Sequence, residues 1–156
     1  MEINLNSKGL EGVLDIEKYC IDNNIDAKKV TSLECDNNIL TELEGLDKLV
    51  NLKRLYCVNN KLTELDLSNL VNLKWLRCKS NKLTKLDTSN LVNLKVLDCR
   101  YNKLTELDTS NLVNLFSLRY YDNELTKLDT SNLVELKWLN GGEYIQPKPV
   151  ILTNKG

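Results

Sequence analysis

The chain has 156 residues, 42% apolar and 28% charged, with a net charge of −1. That fits one folded domain and excludes a disordered chain or a general polyanion binder, which would carry a strong basic excess. With no histidine, the commonest general base and metal ligand is missing, and no apolar run approaches the ~18 residues of a membrane span.

The chain opens Met1-Glu2-Ile3-Asn4-Leu5-Asn6. Neither a basic n-region nor an apolar h-region is present, so this stretch does not read as a secretory signal. Residues 1–29 stand apart from the rest of the chain. Leu10, Val13, Leu14, Ile16, Cys20 and Ile21 give a helical stripe between Gly9 and Asn23, and Asn23-Asn24 is a stop signal. The segment is acidic and is expected to be a small N-terminal helical cap.

From Val30 the sequence becomes periodic. Leu70–Asn90 reads LVNLKWLRCKSNKLTKLDTSN, and close copies succeed one another at a step of 21 residues. The first copy begins at Val30 and is one residue longer, with Gly45 in its variant turn, and the copies that follow begin at Leu52, Leu73, Leu94 and Leu115. A sixth, from Leu136, decays where Gly141 and Tyr144 replace the expected Cys and Asn. Such a period is the mark of a stacked-repeat protein, which needs a cap because its first lap would otherwise leave the core open. The repeats therefore span 30–142, about five and a half units. Pro147 and Pro149 end the pattern, and residues 143–156, with Val150-Ile151-Leu152, are expected to fold back as a C-terminal cover.

Each unit has the form L-x-x-L-x-C-x-x-N-x-L, as in Leu52, Leu55, Cys57, Asn60 and Leu62. The alternation at Leu55-x-Cys57 predicts a short strand with one buried face. The remaining residues suffice for an extended or 3₁₀ return but hardly for an α-helix. At the asparagine the pattern resembles the leucine-rich repeat family. With L-D-T-S after it, it is most similar to the bacterial 21-residue type that carries a cysteine in the strand, the internalin-like proteins. The resemblance covers residues 30–142 and implies an α/β leucine-rich repeat solenoid, a right-handed horseshoe with short parallel β-strands on its concave face. It departs from that type at Tyr120, which stands where Cys35, Cys57, Cys78 and Cys99 would predict another cysteine.

Stacked laps align equivalent residues in columns about 4.8 Å apart. The cysteine column reads as small core residues rather than a metal site, whose ligands must converge on one point. Parallel side chains do not favour disulfides. The asparagine column, Asn38, Asn60, Asn81, Asn102 and Asn123, is placed to bond main-chain groups where the strand ends. Asp66, Asp87, Asp108 and Asp129, each two residues before a serine, suit local turns better than calcium, which wants about six to eight oxygens. No metal and no cofactor is expected.

The strand residues that point away from the core carry the functional signal. Candidate binding residues on the concave face are Arg54, Tyr56, Trp75, Arg77, Lys79, Asp98, Arg100, Tyr101, Arg119, Tyr121 and Trp138. Both tryptophans fall in one column, three laps and so about 14 Å apart. Exposed Trp, Tyr and Arg dominate binding hot spots. With Lys53, Lys74, Lys95 and Lys137 the face carries nine basic residues, against Glu34, Asp36, Asp98 and Asp122. A non-enzymatic protein-interaction module is expected, its partner another protein with an acidic patch, with no nucleic acid and no membrane insertion. The alternative is a surface adhesin recognising a host protein or a glycan, as the family resemblance implies. A catalytic domain has no room outside the repeats. Five unpaired thiols suggest a reducing, cytoplasmic location, whereas a secreted or surface role would need sequence beyond this stretch.

Overall fold

The structure, a computed structural model, describes residues 1–140 and the backbone of the strand Gly142–Glu143. The alternation expected for each lap appears as a three-residue strand with its central leucine inward. The strands are β3 (Ser32–Glu34), β5 (Arg54–Tyr56), β6 (Trp75–Arg77), β7 (Val96–Asp98) and β8 (Ser117–Arg119), with the shorter β9 (Trp138–Leu139) after them. They pair in parallel in chain order. β10 (Gly142–Glu143) closes the sheet antiparallel to β9. The register aligns Leu33, Leu55, Leu76, Leu97, Leu118 and Leu139 in one row. All but Leu139 are fully buried. At about 1.5–3 kcal/mol per buried leucine, the stacked rows of leucine make one continuous core, and a lap alone would leave both its faces wet.

The return side turns tightly. Leu70 N–H donates to Leu67 O at 3.0 Å and Leu73 N–H to Leu70 O at 2.9 Å. The equivalent bonds recur at Leu91, Leu94, Leu112 and Leu115. These three-residue closures are the 3₁₀-like geometry that a 21-residue lap can hold. Leu46–Lys48 is a complete 3₁₀ turn.

The N-terminal segment differs from the expected helical cap. Its first residues form β1 (Glu2–Asn4), which pairs in parallel with β3, Ile3 beside Leu33. A second strand, β2 (Glu11–Asp15), pairs with β4 (Ile39–Glu44) on the return side. Only Ile16–Asp22 is α-helical, α1, started by Asp15 whose carboxylate accepts from Lys18 N–H at 2.9 Å, and Ala27–Lys29 adds a single 3₁₀ turn. The segment is thus a degenerate lap carrying one short helix. Ile3 and Leu5 occupy the strand positions, and Lys8 stands where later laps have the ladder asparagine. The leucine-rich signature is absent there, so residue identity hid what the hydrogen-bonding edge of β3 demands, a paired neighbour. Gly45, at φ 74°, lets the chain pass the start of α1, since a Cβ there would lie 3.0 Å from the Glu17 amide. The expected C-terminal cover, 143–156, lies outside the described residues apart from the backbone of Glu143.

Candidate functional site

The asparagine column holds the edge of the concave face in place. Asn81 Nδ2 donates to Cys57 O at 2.8 Å, Cys78 O at 3.0 Å and Lys79 O at 3.4 Å, while its Oδ1 accepts from Leu62 N–H at 3.0 Å. Asn60 and Asn102 repeat the set one lap away on either side. Each strand therefore ends at the same height, and the residues around it fall into straight columns.

Register fixes those columns. The first runs Glu2, Ser32, Arg54, Trp75, Val96, Ser117 and Trp138. The second runs Asn4, Glu34, Tyr56, Arg77, Asp98 and Arg119. The two tryptophans do share a column, and both face away from the leucine core. Trp138 is 44% exposed, while Trp75 is half-buried among its neighbours. The chain's four arginines, Arg54, Arg77, Arg100 and Arg119, all lie on this face.

Those arginines are not equivalent. Arg54 is ion-paired with Glu2 across two lap steps. The pair lies in the column of Ser32, which is fully buried and whose hydroxyl has no hydrogen-bond partner among the described residues. Arg100 grips Asp98 through two bonds, Nε to Oδ1 at 2.7 Å and Nη2 to Oδ2 at 2.6 Å, and Nη1 donates to the Tyr121 hydroxyl at 2.6 Å. Asp98, expected as an open binding residue, is instead buried at 7% exposure. The reason is local. Two residues apart on one strand end, the carboxylate and guanidinium meet as a fork, and each relieves the other's desolvation. The hydrogen bond from Arg100 holds the Tyr121 phenol below its ordinary pKa, and hydrogen bonding to Tyr121 pushes Tyr101 up.

Around this fork the aromatic and cationic groups interleave. The Tyr101 and Tyr121 rings meet edge to face at 5.4 Å. Arg100 lies 5.1 Å from the Tyr121 ring, Lys79 5.4 Å from Tyr101, and Arg77 4.8 Å from Tyr56. Arg77 and Arg119 are exposed, and neither takes part in an ion pair among the described residues. Two other acids of the face accept hydrogen bonds from neutral amides, while Asp122 is exposed. Glu34 accepts from Asn4 and Asn6 at 3.1 and 3.0 Å, and Asp36 from Val58 N–H at 2.7 Å.

The backbone of Tyr101 left no signal in the sequence pattern. It has φ 55°, in the left-handed region, at a position that Ser7, Asn37, Asn59, Ser80 and Asp122 fill elsewhere. Short polar side chains tolerate that conformation, whereas a tyrosine there carries strain of about 1–2 kcal/mol. The side chain is nevertheless 45% exposed. Tyr101→Asn is expected to hold stability or raise it by up to about 1 kcal/mol, the lost ring contact offsetting part of the relieved strain; a urea midpoint measures it, and a clear loss would show the ring contact to dominate.

Outside the concave face the aspartate and cysteine columns are occupied structurally. Asp66, Asp87, Asp108 and Asp129 each accept from the amide two residues on, at 2.8–3.0 Å. Hydrogen bonds from Ser68, Ser89, Ser110 and Ser131 lower their pKa values. Cys35, Cys57, Cys78 and Cys99 are fully buried and free. Their thiols are shut away in the core, so their unpaired state carries no information about compartment, and the expected cytoplasmic location loses its support. No helix among the described residues is long and apolar enough to cross a membrane.

No family model matches the chain. Over 39 residues it is 44% identical to internalin J of Listeria monocytogenes, a stretch that is 25% of this chain and 4% of that protein. The solved functional domain of InlJ from Listeria monocytogenes, described as including a cysteine ladder, superposes with a TM-score of 0.73 at 32% identity, covering 88% of this chain and 31% of that one. An internalin, InlF, from the same organism gives a TM-score of 0.73 at 25% identity, over 88% of this chain and 40% of that one. The chain thus spans well under half the length of each of these relatives.

Proposed function

We propose that this chain, an internalin-like leucine-rich repeat protein with a cysteine ladder, is a non-enzymatic module that binds a partner protein through its concave strand face. Its fold is that of protein-interaction modules in general. The observation that carries the finer reading is the collection of all four arginines and both tryptophans on one side of the sheet, residue types that dominate hot spots. The partner presents an acidic, apolar-studded surface, because Arg77, Arg119 and Lys79 take part in no ion pair among the described residues while the central acid, Asp98, is held by Arg100. The non-enzymatic part of the reading draws on Asp98 being tied to Arg100 and on the burial of the ladder thiols.

The test is the double substitution Trp75→Ala with Arg77→Ala. Proteins captured on the immobilised parent chain are identified and titrated against both forms. Affinity is expected to fall at least a hundredfold, about 3 kcal/mol, with an unchanged far-UV spectrum. Equal affinity of an identified partner for both forms refutes the reading. A second reading, adhesion to a glycan, draws on the exposed rings of Trp138 and Tyr101, on which a sugar can stack. A loss of binding on deglycosylation of the captured partner selects it.

A further inference from the structure

Resting on the concave-face reading, the geometry further points to the form of the partner: we infer that the face is built for a polyproline II segment with carboxylates three residues apart. Arg77 and Arg119 stand in the same column, two laps apart, with Asp98 between them. Two laps at the strand spacing separate their backbone positions by about 9.6 Å. Asp98 does not repel an anion there, because Arg100 covers both its carboxylate oxygens. Arg77 is placed by its stacking on Tyr56 at 4.8 Å. The column therefore offers two guanidinium subsites, the first held by its ring and the second exposed, over a middle whose charge Arg100 offsets.

Few backbones present two like side chains at that distance on one face. An extended β-segment repeats its face every second residue, at about 6.7 Å and then about 13 Å. An α-helix does so at about 5–6 Å within a turn and again at about 10.5 Å after seven residues. Polyproline II has three residues per turn and a rise of about 3.1 Å, so residues i and i+3 align at about 9.3 Å. That fits the arginine pair. The flanks add a second reason. Trp75 and Tyr56 beside the first subsite, and Tyr101 and Tyr121 beside the second, line the path with rings, and polyproline II segments dock in aromatic-lined grooves. Guanidinium forks then take the two carboxylates.

The test uses three fluorescein-labelled peptides on the full chain. Two are proline-rich octamers of identical composition, one with two glutamates three positions apart and one with them two apart. The third is a helical peptide with the glutamates seven apart. Fluorescence anisotropy at low salt is expected to show the three-apart octamer binding at least tenfold more tightly than the two-apart isomer. Arg77→Gln or Arg119→Gln, each still folded by circular dichroism, should reduce that preference to below twofold. Equal binding of the two octamers, tighter binding of the helical peptide, or no binding of any peptide overturns the inference. None of these outcomes touches the concave-face reading, which falls instead if a captured partner is indifferent to the Trp75 and Arg77 substitutions.

Discussion

Asn81→Ala will lower the stability of the chain by about 4–6 kcal/mol, a large share of the ~5–15 kcal/mol that folded domains possess. The side chain is nearly buried, 9% exposed, and makes four main-chain bonds. They are not equally replaceable. The Cys57 carbonyl keeps a second donor in Asn60, at 3.2 Å, and the Cys78 carbonyl keeps Asn102, at 3.0 Å. The Leu62 amide has no such reserve, since Asn81 Oδ1 is its acceptor. One orphaned buried amide costs about 1–3 kcal/mol, and each of the other lost bonds about 1. Asn81→Asp is expected to be at least as damaging, because a carboxylate of the same shape would face the Cys57 and Cys78 carbonyl oxygens. Asn72→Ala is the control. Its Nδ2 donates to Val50 O at 3.0 Å in an exposed ladder, where water substitutes, so the loss should stay below about 1 kcal/mol. Urea denaturation of the three variants decides the matter, and an Asn81→Ala loss no larger than that of Asn72→Ala would refute the ladder's role.

The same asparagine shows why so much of the fold is legible in the sequence. A lap can stack only if it repeats its inward leucines and its strand-end amide, so the physical requirement and the sequence period are one thing. Where other residues can meet the requirement, the period is silent. The first lap needs only a strand beside β3 and something apolar beneath it, and Glu2-Ile3-Asn4-Leu5 supplies both without a motif. Val13, Leu14 and Ile16 keep a helical spacing, yet the free edge of β4 claims residues 11–15 as a strand. An edge is a property of another segment, so it leaves no trace in the local pattern.

The candidate site is legible in position more than in chemistry. Alternation about Leu55, Leu76, Leu97 and Leu118 places the outward columns, and the register aligns them as expected. Which charges stay open is not legible. Asp98 and Arg100 look alike in sequence to Asp36 and Arg119, yet only the first two lock together. Glu2 cannot be foreseen as the partner of Arg54, because the lap that carries it lacks the motif. The unpaired thiols of the core mislead for a similar reason. Their count suggests a compartment, whereas their burial makes compartment irrelevant to them.

That burial sets the second large effect, a steep loss of stability in alkali. Burial pushes Cys35 and Cys99 up to about 12, and the Asp36 and Asp98 carboxylates add to the respective shifts. Cys57 and Cys78 are raised well above 9.0, again first by burial. An unfolded thiol ionises near 9.0. Above that pH the unfolded chain sheds protons that the folded chain retains, so unfolding gains with every further unit. The contribution is complete below pH 9 and is lost progressively toward 12 and beyond, at up to about 1.4 kcal/mol per pH unit for each thiol. Four thiols in one column together approach about 5 kcal/mol per unit, enough to unfold the chain between pH 9 and 11. Cys78→Ala separates this from general alkaline repulsion. It leaves a small cavity, which lowers stability equally at every pH, yet it should flatten the slope between pH 9 and 11 by about a quarter. Denaturation midpoints at half-unit intervals give both slopes. Identical slopes would mean that the thiols titrate at their ordinary pKa in the folded chain, and the cysteine column would then have to be open to water rather than sealed beneath the strands.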